Sequence, residues 1–61
     1  MENYDDLIGL TIDEAKAARP GNAIRVVMKD GEHYMVTMDY RMDRINVHIE
    51  DGKIVYVTGR G

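Results

Sequence analysis

The residues best suited to chemistry lie together in Val36-Thr37-Met38-Asp39-Tyr40-Arg41-Met42-Asp43-Arg44. Met38, large, flexible and apolar, sits between Thr37 and Asp39, whose side-chain oxygens accept hydrogen bonds. Two guanidinium groups follow, on Arg41 and Arg44, with the Asp43 carboxylate between them. The planar fork of arginine binds carboxylates and hydroxyls in fixed geometry. Such an arrangement is able to hold a segment extended and rigid while it presents one apolar side chain, which is what a substrate-mimicking loop requires. The same stretch also reads as a half-buried strand with Val36, Met38 and Tyr40 towards the core, and periodicity alone favours that second reading.

The remaining candidates for chemistry are weaker. His33 and His48 are the two histidines, and the chain has no serine or cysteine for either to activate. Thr11, Thr37 and Thr58 are the only hydroxyl side chains besides tyrosine, so a hydrolytic nucleophile has little support. His48 reads as a residue on the solvated face of its strand and His33 as a turn residue. A metal site built from one histidine and Glu32 or Glu50 is a weak signal, and neither metal nor cofactor is expected. The glycines fall at turns and ends, with no phosphate-binding loop. Asp39 and Asp43 are better explained as ion-pair partners of Arg41 and Arg44 than as an acid–base pair. Met35, Met38 and Met42, close together among polar residues, suit partial exposure. These residue types do not describe an enzyme.

Sixty-one residues make one small domain, and a chain of this length buries only about 60% of the surface its unfolded form exposes. There is no cysteine to staple it. A net charge of −3, with basic residues scattered among acidic ones, argues against a nucleic-acid or anionic-lipid partner. No apolar run reaches the length of a membrane span. The stretch Met1-Glu2-Asn3-Tyr4-Asp5-Asp6 lacks the basic and apolar regions of a secretion signal. The expectation is a soluble protein whose compartment stays open.

Positioning the central stretch requires a scaffold, and much of one is visible. Residues 1–6 are polar and expected to fray, with Tyr4 the one among them best suited to pack. Leu7, Ile8 and Leu10 supply apolar contacts, interrupted by Gly9. Thr11-Ile12-Asp13-Glu14 starts a helix: Thr11 caps it and Glu14 completes a capping box, while Asp13 and Glu14 suit the positive end of the dipole. Pro20-Gly21 ends it. The helix, two to three turns long, should bury Ile12, Ala15 and one neighbour, and needs a sheet to pack on. Residues 23–29 read as a strand with Ile24, Val26 and Met28 on one face. Residues 44–50 alternate more clearly, Ile45, Val47 and Ile49 against Asn46, His48 and Glu50. Asp51-Gly52 marks a hairpin, and residues 53–58 return antiparallel. Gly59-Arg60-Gly61 is too short to be an element alone.

Residues 30–43 admit two readings. Asp30-Gly31 is also a hairpin signal, and residues 26–37 resemble 47–58 at an offset of 21, both carrying Asp-Gly and both ending in Val-Thr. Taken locally, this predicts two hairpins and a four-stranded antiparallel sheet. The other reading leaves 30–43 as a long loop, which in a small domain usually serves a function.

The central stretch resembles the reactive-site loop of the potato inhibitor I family of serine-protease inhibitors, which includes the barley chymotrypsin inhibitor, leech eglin and small microbial relatives. Leu7-Ile8-Gly9 and Thr11-Ile12-Asp13-Glu14-Ala15-Lys16 resemble the family's helix start, and the likeness runs on through Arg44-Ile45-Asn46-Val47 to Gly61. The resemblance implies one protease-inhibitor-like domain over residues 1–61, an α+β fold with one helix packed on a small mixed sheet. An extended reactive-site loop would join two parallel strands, 23–29 and 44–50. It implies a reactive bond at Met38-Asp39, with Val36, Thr37, Tyr40 and Arg41 in the protease-binding loop. Arg44, Asn46 and the Gly61 carboxylate would support it. Asn46 stands where the barley protein has a second supporting arginine, the segment Asp30–Met35 is longer than usual, and Gly59-Arg60 departs from the usual end. The implied partner is a subtilisin-, chymotrypsin- or elastase-like serine protease, the protein being a monomer or a loop-swapped dimer. The competing reading is a small non-inhibitory interaction module or homo-oligomer subunit with an antiparallel sheet.

Overall fold

The computed structural model describes residues 3–34 and 39–61. Thr11 and Glu14 form the expected capping box: the Thr11 N–H donates to Glu14 Oε1 at 2.9 Å, and the Glu14 N–H donates to Thr11 Oγ1 at 3.2 Å. Helix α1 (Ile12–Ala18) follows and stops at Arg19, whose backbone (φ −130°, ψ 71°) has left the helical region ahead of Pro20. Ala15 is fully buried and Ile12 packs at the margin of the core.

From Asn3 to Asp6 the chain is held in place rather than frayed, while Met1 and Glu2 lie outside the described residues. Asp5–Leu7 form a 3-10 turn that carries Leu7 into the core. Arg19 holds it from the far end of the helix. Its Nε and Nη2 donate to Asp6 Oδ2 (3.2 Å) and Oδ1 (2.8 Å), and Nη2 also donates to the Asn3 carbonyl at 2.7 Å. The same guanidinium lies 5.2 Å from the centre of the Tyr4 ring, so one side chain gathers Asn3, Tyr4 and Asp6. Fraying was expected because the partner sits thirteen residues from Asp6 and a local pattern cannot show it.

The sheet has four strands: β1 (Ala23–Lys29), β2 (Glu32–His33), β3 (Arg44–Glu50) and β4 (Lys53–Arg60). Their spatial order is β2-β1-β3-β4. β1 and β3 are parallel, with Ala23 opposite Arg44, Ile24 opposite Ile45 and Arg25 opposite Asn46. β3 and β4 are antiparallel, as are β1 and β2. The fold is therefore α+β, with one helix and a mixed sheet, and the wholly antiparallel arrangement is excluded. Both Asp-Gly signals are real nonetheless. Asp30 and Gly31 (φ 49° and 84°) and Asp51 and Gly52 (φ 52° and 78°) take the paired positive φ values of tight hairpin turns. The two turns lie side by side, since the Asp51 N–H donates to Asp30 Oδ1 at 2.8 Å. The internal similarity thus marks two hairpins stacked in parallel. In the first, among the described residues, β2 pairs with β1 through Glu32 and His33, so 30–43 is not wholly a loop.

Core packing follows the β3 alternation. Leu7, Ala15, Ile45, Val47, Ile49 and Ile54 are buried, with Tyr4, Leu10, Ile12, Ile24, Val26 and Val57 packed around them. Met28 was expected beside Ile24 and Val26. A register shift after Val26 sets it opposite His48 instead, and it is absent from that apolar cluster. β4 also runs past Thr58. A register shift at Thr58 and a positive φ (129°) at Gly59, a backbone that side chains rarely adopt, carry the strand to Arg60 opposite Ile45. That continuation delivers Gly61 to the start of β3.

Removing the cap hydroxyl in Thr11→Ala should cost about 1 kcal/mol in urea denaturation near neutral pH. The Glu14 carboxyl is held below its usual range, first by the Thr11 backbone N–H and then by the Thr11 side chain. A lowered carboxyl contributes stability above its unfolded pKa and loses it as pH falls through the folded pKa. The gap between parent and variant should therefore narrow on acidification through the glutamate range; a gap that widens would contradict this assignment.

Candidate functional site

Arg44 opens β3 and organises one end of the sheet. Its side chain is 11% exposed, whereas the Asp39 side chain is 55% exposed, so the cation is the sheltered partner. Arg44 Nη2 donates to the Asp39 carbonyl at 2.8 Å, and Nη1 reaches Asp39 Oδ2 at 3.4 Å. Nε donates to the Gly61 oxygen at 3.0 Å, and the Gly61 N–H returns to the Arg44 carbonyl at 3.1 Å. The backbone of Asp39 is held more closely than its carboxylate.

The Gly61 oxygen collects two further donors. Arg25 Nη2 donates at 3.0 Å, and Asn46 Nδ2 approaches at 3.4 Å. Arg25 Nε donates to Asn46 Oδ1 at 2.8 Å, so the buried Asn46 amide is engaged at both ends. The Gly61 oxygen is thus shared by Arg44, Arg25 and Asn46. Arg25 was missed. Its signal was available once strands 23–29 and 44–50 were drawn parallel: pairing residue 23 with 44 puts Arg25 directly beside Asn46.

Residues 39–43 have no regular secondary structure, yet the scaffold holds their carbonyls. Besides Asp39, the Arg41 carbonyl accepts from the Arg44 N–H (3.2 Å) and the Met42 carbonyl from Arg60 Nη1 (2.8 Å). The Asp43 carbonyl accepts from the Ala23 N–H (2.8 Å) and from Asn22 Nδ2 (3.3 Å). Arg41 pairs with Asp43 through Nη2–Oδ2 at 2.8 Å and Nε–Oδ1 at 3.2 Å. That hydrogen bond, more than any other influence, holds the Asp43 carboxyl below its usual range. Both side chains are about half exposed, and such a pair adds little stability. The expected ion pairing of Asp39 and Asp43 thus resolves into Arg44–Asp39 and Arg41–Asp43.

Tyr40 and Met42 are exposed. A methyl group placed on Gly61 would meet the Tyr40 ring at 3.6 Å and the Asn46 amide nitrogen at 3.2 Å, so Gly61 sits between a ring and the network. Val36, Thr37 and Met38 lie outside the described residues, as does Met35. His33 stands in β2 and not in the turn. His48 is half-buried and meets Tyr56 edge-on, with centroids 5.2 Å apart, so its strand face is less solvated than its alternation implied. Among the described residues no group of three or more histidine, aspartate or glutamate side chains is placed to hold a metal ion, and no helix is long and apolar enough to cross a membrane. No protein-family model and no curated protein matches the chain.

Arg44→Ala should leave the core intact, because Arg44 is not part of it. It removes charge-assisted bonds that contribute roughly 1.5–3 kcal/mol each when shielded, and less beside the exposed Asp39. The expected outcome is a melting temperature close to the parent's, with NMR order parameters at Asp39 and Tyr40 falling below about 0.6. Unchanged order parameters would show that the carbonyl bonds to Met42 and Asp43 suffice.

Proposed function

We propose that this protein inhibits serine proteases of the subtilisin, chymotrypsin or elastase type by offering residues 36–41 as a substrate-like segment. The observation that carries this reading is the Arg44 guanidinium, which grips the Asp39 carbonyl at 2.8 Å while anchored to the Gly61 oxygen at 3.0 Å. An inhibitor of this kind needs the residue after its reactive bond to stay in place. Here that bond is Met38-Asp39, carried by an extended loop between the parallel strands β1 and β3.

In the protease cleft, Val36, Thr37, Met38, Tyr40 and Arg41 form an added strand, and Met38 fills an apolar primary pocket. Attack of the protease nucleophile on the Met38 carbonyl breaks the bond to the Asp39 nitrogen and leaves that nitrogen as the departing amine. Asp39 is retained by Arg44, and the Met42 and Asp43 carbonyls by Arg60, Asn22 and Ala23. The amine remains beside the acyl group, religation competes with hydrolysis, and the complex persists. Ordering the segment before binding lowers the entropic cost of association.

Titration against subtilisin and chymotrypsin should show stoichiometric inhibition, with little effect on trypsin, because Met38 carries no charge for an acidic pocket. Met38→Lys should shift preference towards trypsin without unfolding the domain. If Met38 instead faces the core, that substitution buries a charge, costs several kcal/mol and collapses the melting temperature. Absence of inhibition by a folded parent would favour the non-inhibitory interaction module.

A further inference from the structure

Two cations converge on one oxygen in this site, and they come from different strands. Arg44 on β3 and Arg25 on β1 each donate to the Gly61 oxygen at 3.0 Å. The resemblance leads one to look for a second support at position 46, yet the residue there is a neutral amide. The guanidinium is present one strand away. We propose that Arg25 is a positioning residue for the 39–43 segment, the second cationic support, acting on Arg44 through Gly61 and Asn46.

Arg44 turns its Nη1 and Nη2 to Asp39 and keeps Nε for Gly61. The direction of its guanidinium plane is therefore set at one end by the Gly61 oxygen. If that oxygen shifts, Nε loses its acceptor and the plane is free to pivot about Asp39. What fixes the oxygen from the opposite side is Arg25 Nη2, assisted by the longer bond from Asn46 Nδ2. Arg25 also decides which way the Asn46 amide points. By donating Nε to Oδ1 at 2.8 Å it leaves Nδ2 facing Gly61. A planar fork makes both bonds at once; the point charge of a lysine makes one well. The network is partly buried, where hydrogen bonds are less screened than at the surface. Placement follows from the sheet: Arg25 and Asn46 are register partners in the parallel pair, and Gly59 faces Asn46 from β4. The site is thus assembled from three strands, and its geometry depends on the β1–β3 register.

As an explanation of inhibition this inference rests on the protease-inhibitor reading, but its structural half is tested without a protease. In Arg25→Met, which keeps the unbranched stem and removes every donor, hydrogen exchange at the Arg44 Nε–H should accelerate about tenfold beyond any change at the Val47 amide. The Val47 amide, in the buried centre of β3, reports global stability. Arg25→Lys should give a smaller acceleration, and it carries the test if the methionine variant does not fold. With subtilisin, Arg25→Met should be cut between Met38 and Asp39 faster than the parent on prolonged incubation, as seen by mass spectrometry. Equal acceleration at Arg44 and Val47 would overturn the proposal, because it would make Arg25 a stability residue only. So would parent-like exchange at Arg44. If the parent inhibits no protease, the functional reading fails while the exchange comparison still decides the role of Arg25.

Discussion

A parallel pair at the centre of the sheet dictates the path of the chain between its two strands. β1 and β3 point the same way, so the chain leaving Lys29 must return along the strand length, about 23 Å for seven residues, before Arg44. Proteins commonly make such a return with a helix. Among the described residues, this chain turns at Asp30-Gly31, pairs Glu32 and His33 of β2 with β1, and is irregular again over 39–43. Irregular backbone is stable only where its polar groups find partners. Arg44, Arg60, Asn22 and Ala23 answer that requirement at one end of the sheet.

The arginines therefore contribute geometry more than stability. Cohesion comes from a compact set of apolar side chains, Leu7, Ala15, Ile45, Val47, Ile49 and Ile54, drawn from the N-terminal turn, the helix and two strands. The ion pairs have exposed acidic partners and little net energy to give. Two guanidiniums brought to one oxygen fix its position from two strands, which fits a role in positioning.

How much was legible in the sequence depended on distance along the chain. Thr11 with Glu14, Asp51 with Gly52, and the apolar Ile45, Val47 and Ile49 are short-range patterns, and each takes its expected place, although Asn46 on the other face of the strand is buried as well. The Arg19 clasp on Asp6 and the Arg25 bond to Asn46 join residues far apart, which no local pattern records. Register shifts were equally hidden. A single extra residue turned Met28 away from its expected companions, and another let β4 continue beyond Thr58. Of the site, the resemblance pointed to Arg44, Asn46 and Gly61, whose role as loop support belongs to the proposed function, while Arg25 required the strand neighbour to be known. Val36, Thr37 and Met38 lie outside the described residues.

β4 lies at one edge of the sheet. An unpaired strand rim is a template on which a second chain can assemble, and long flat rims invite aggregation. Here the Gly9 N–H donates to the Ile54 carbonyl, and the Ile54 N–H donates to the Leu10 carbonyl, both at 2.8 Å. The chain's own N-terminal region thus occupies the rim where β4 begins. Further along, the irregular pairing at Val55 and Thr58 adds local twist and bends the strand away from flatness. Gly9, which interrupts the apolar run Leu7-Ile8-Leu10, belongs to a built-in guard against self-assembly along that side of the molecule.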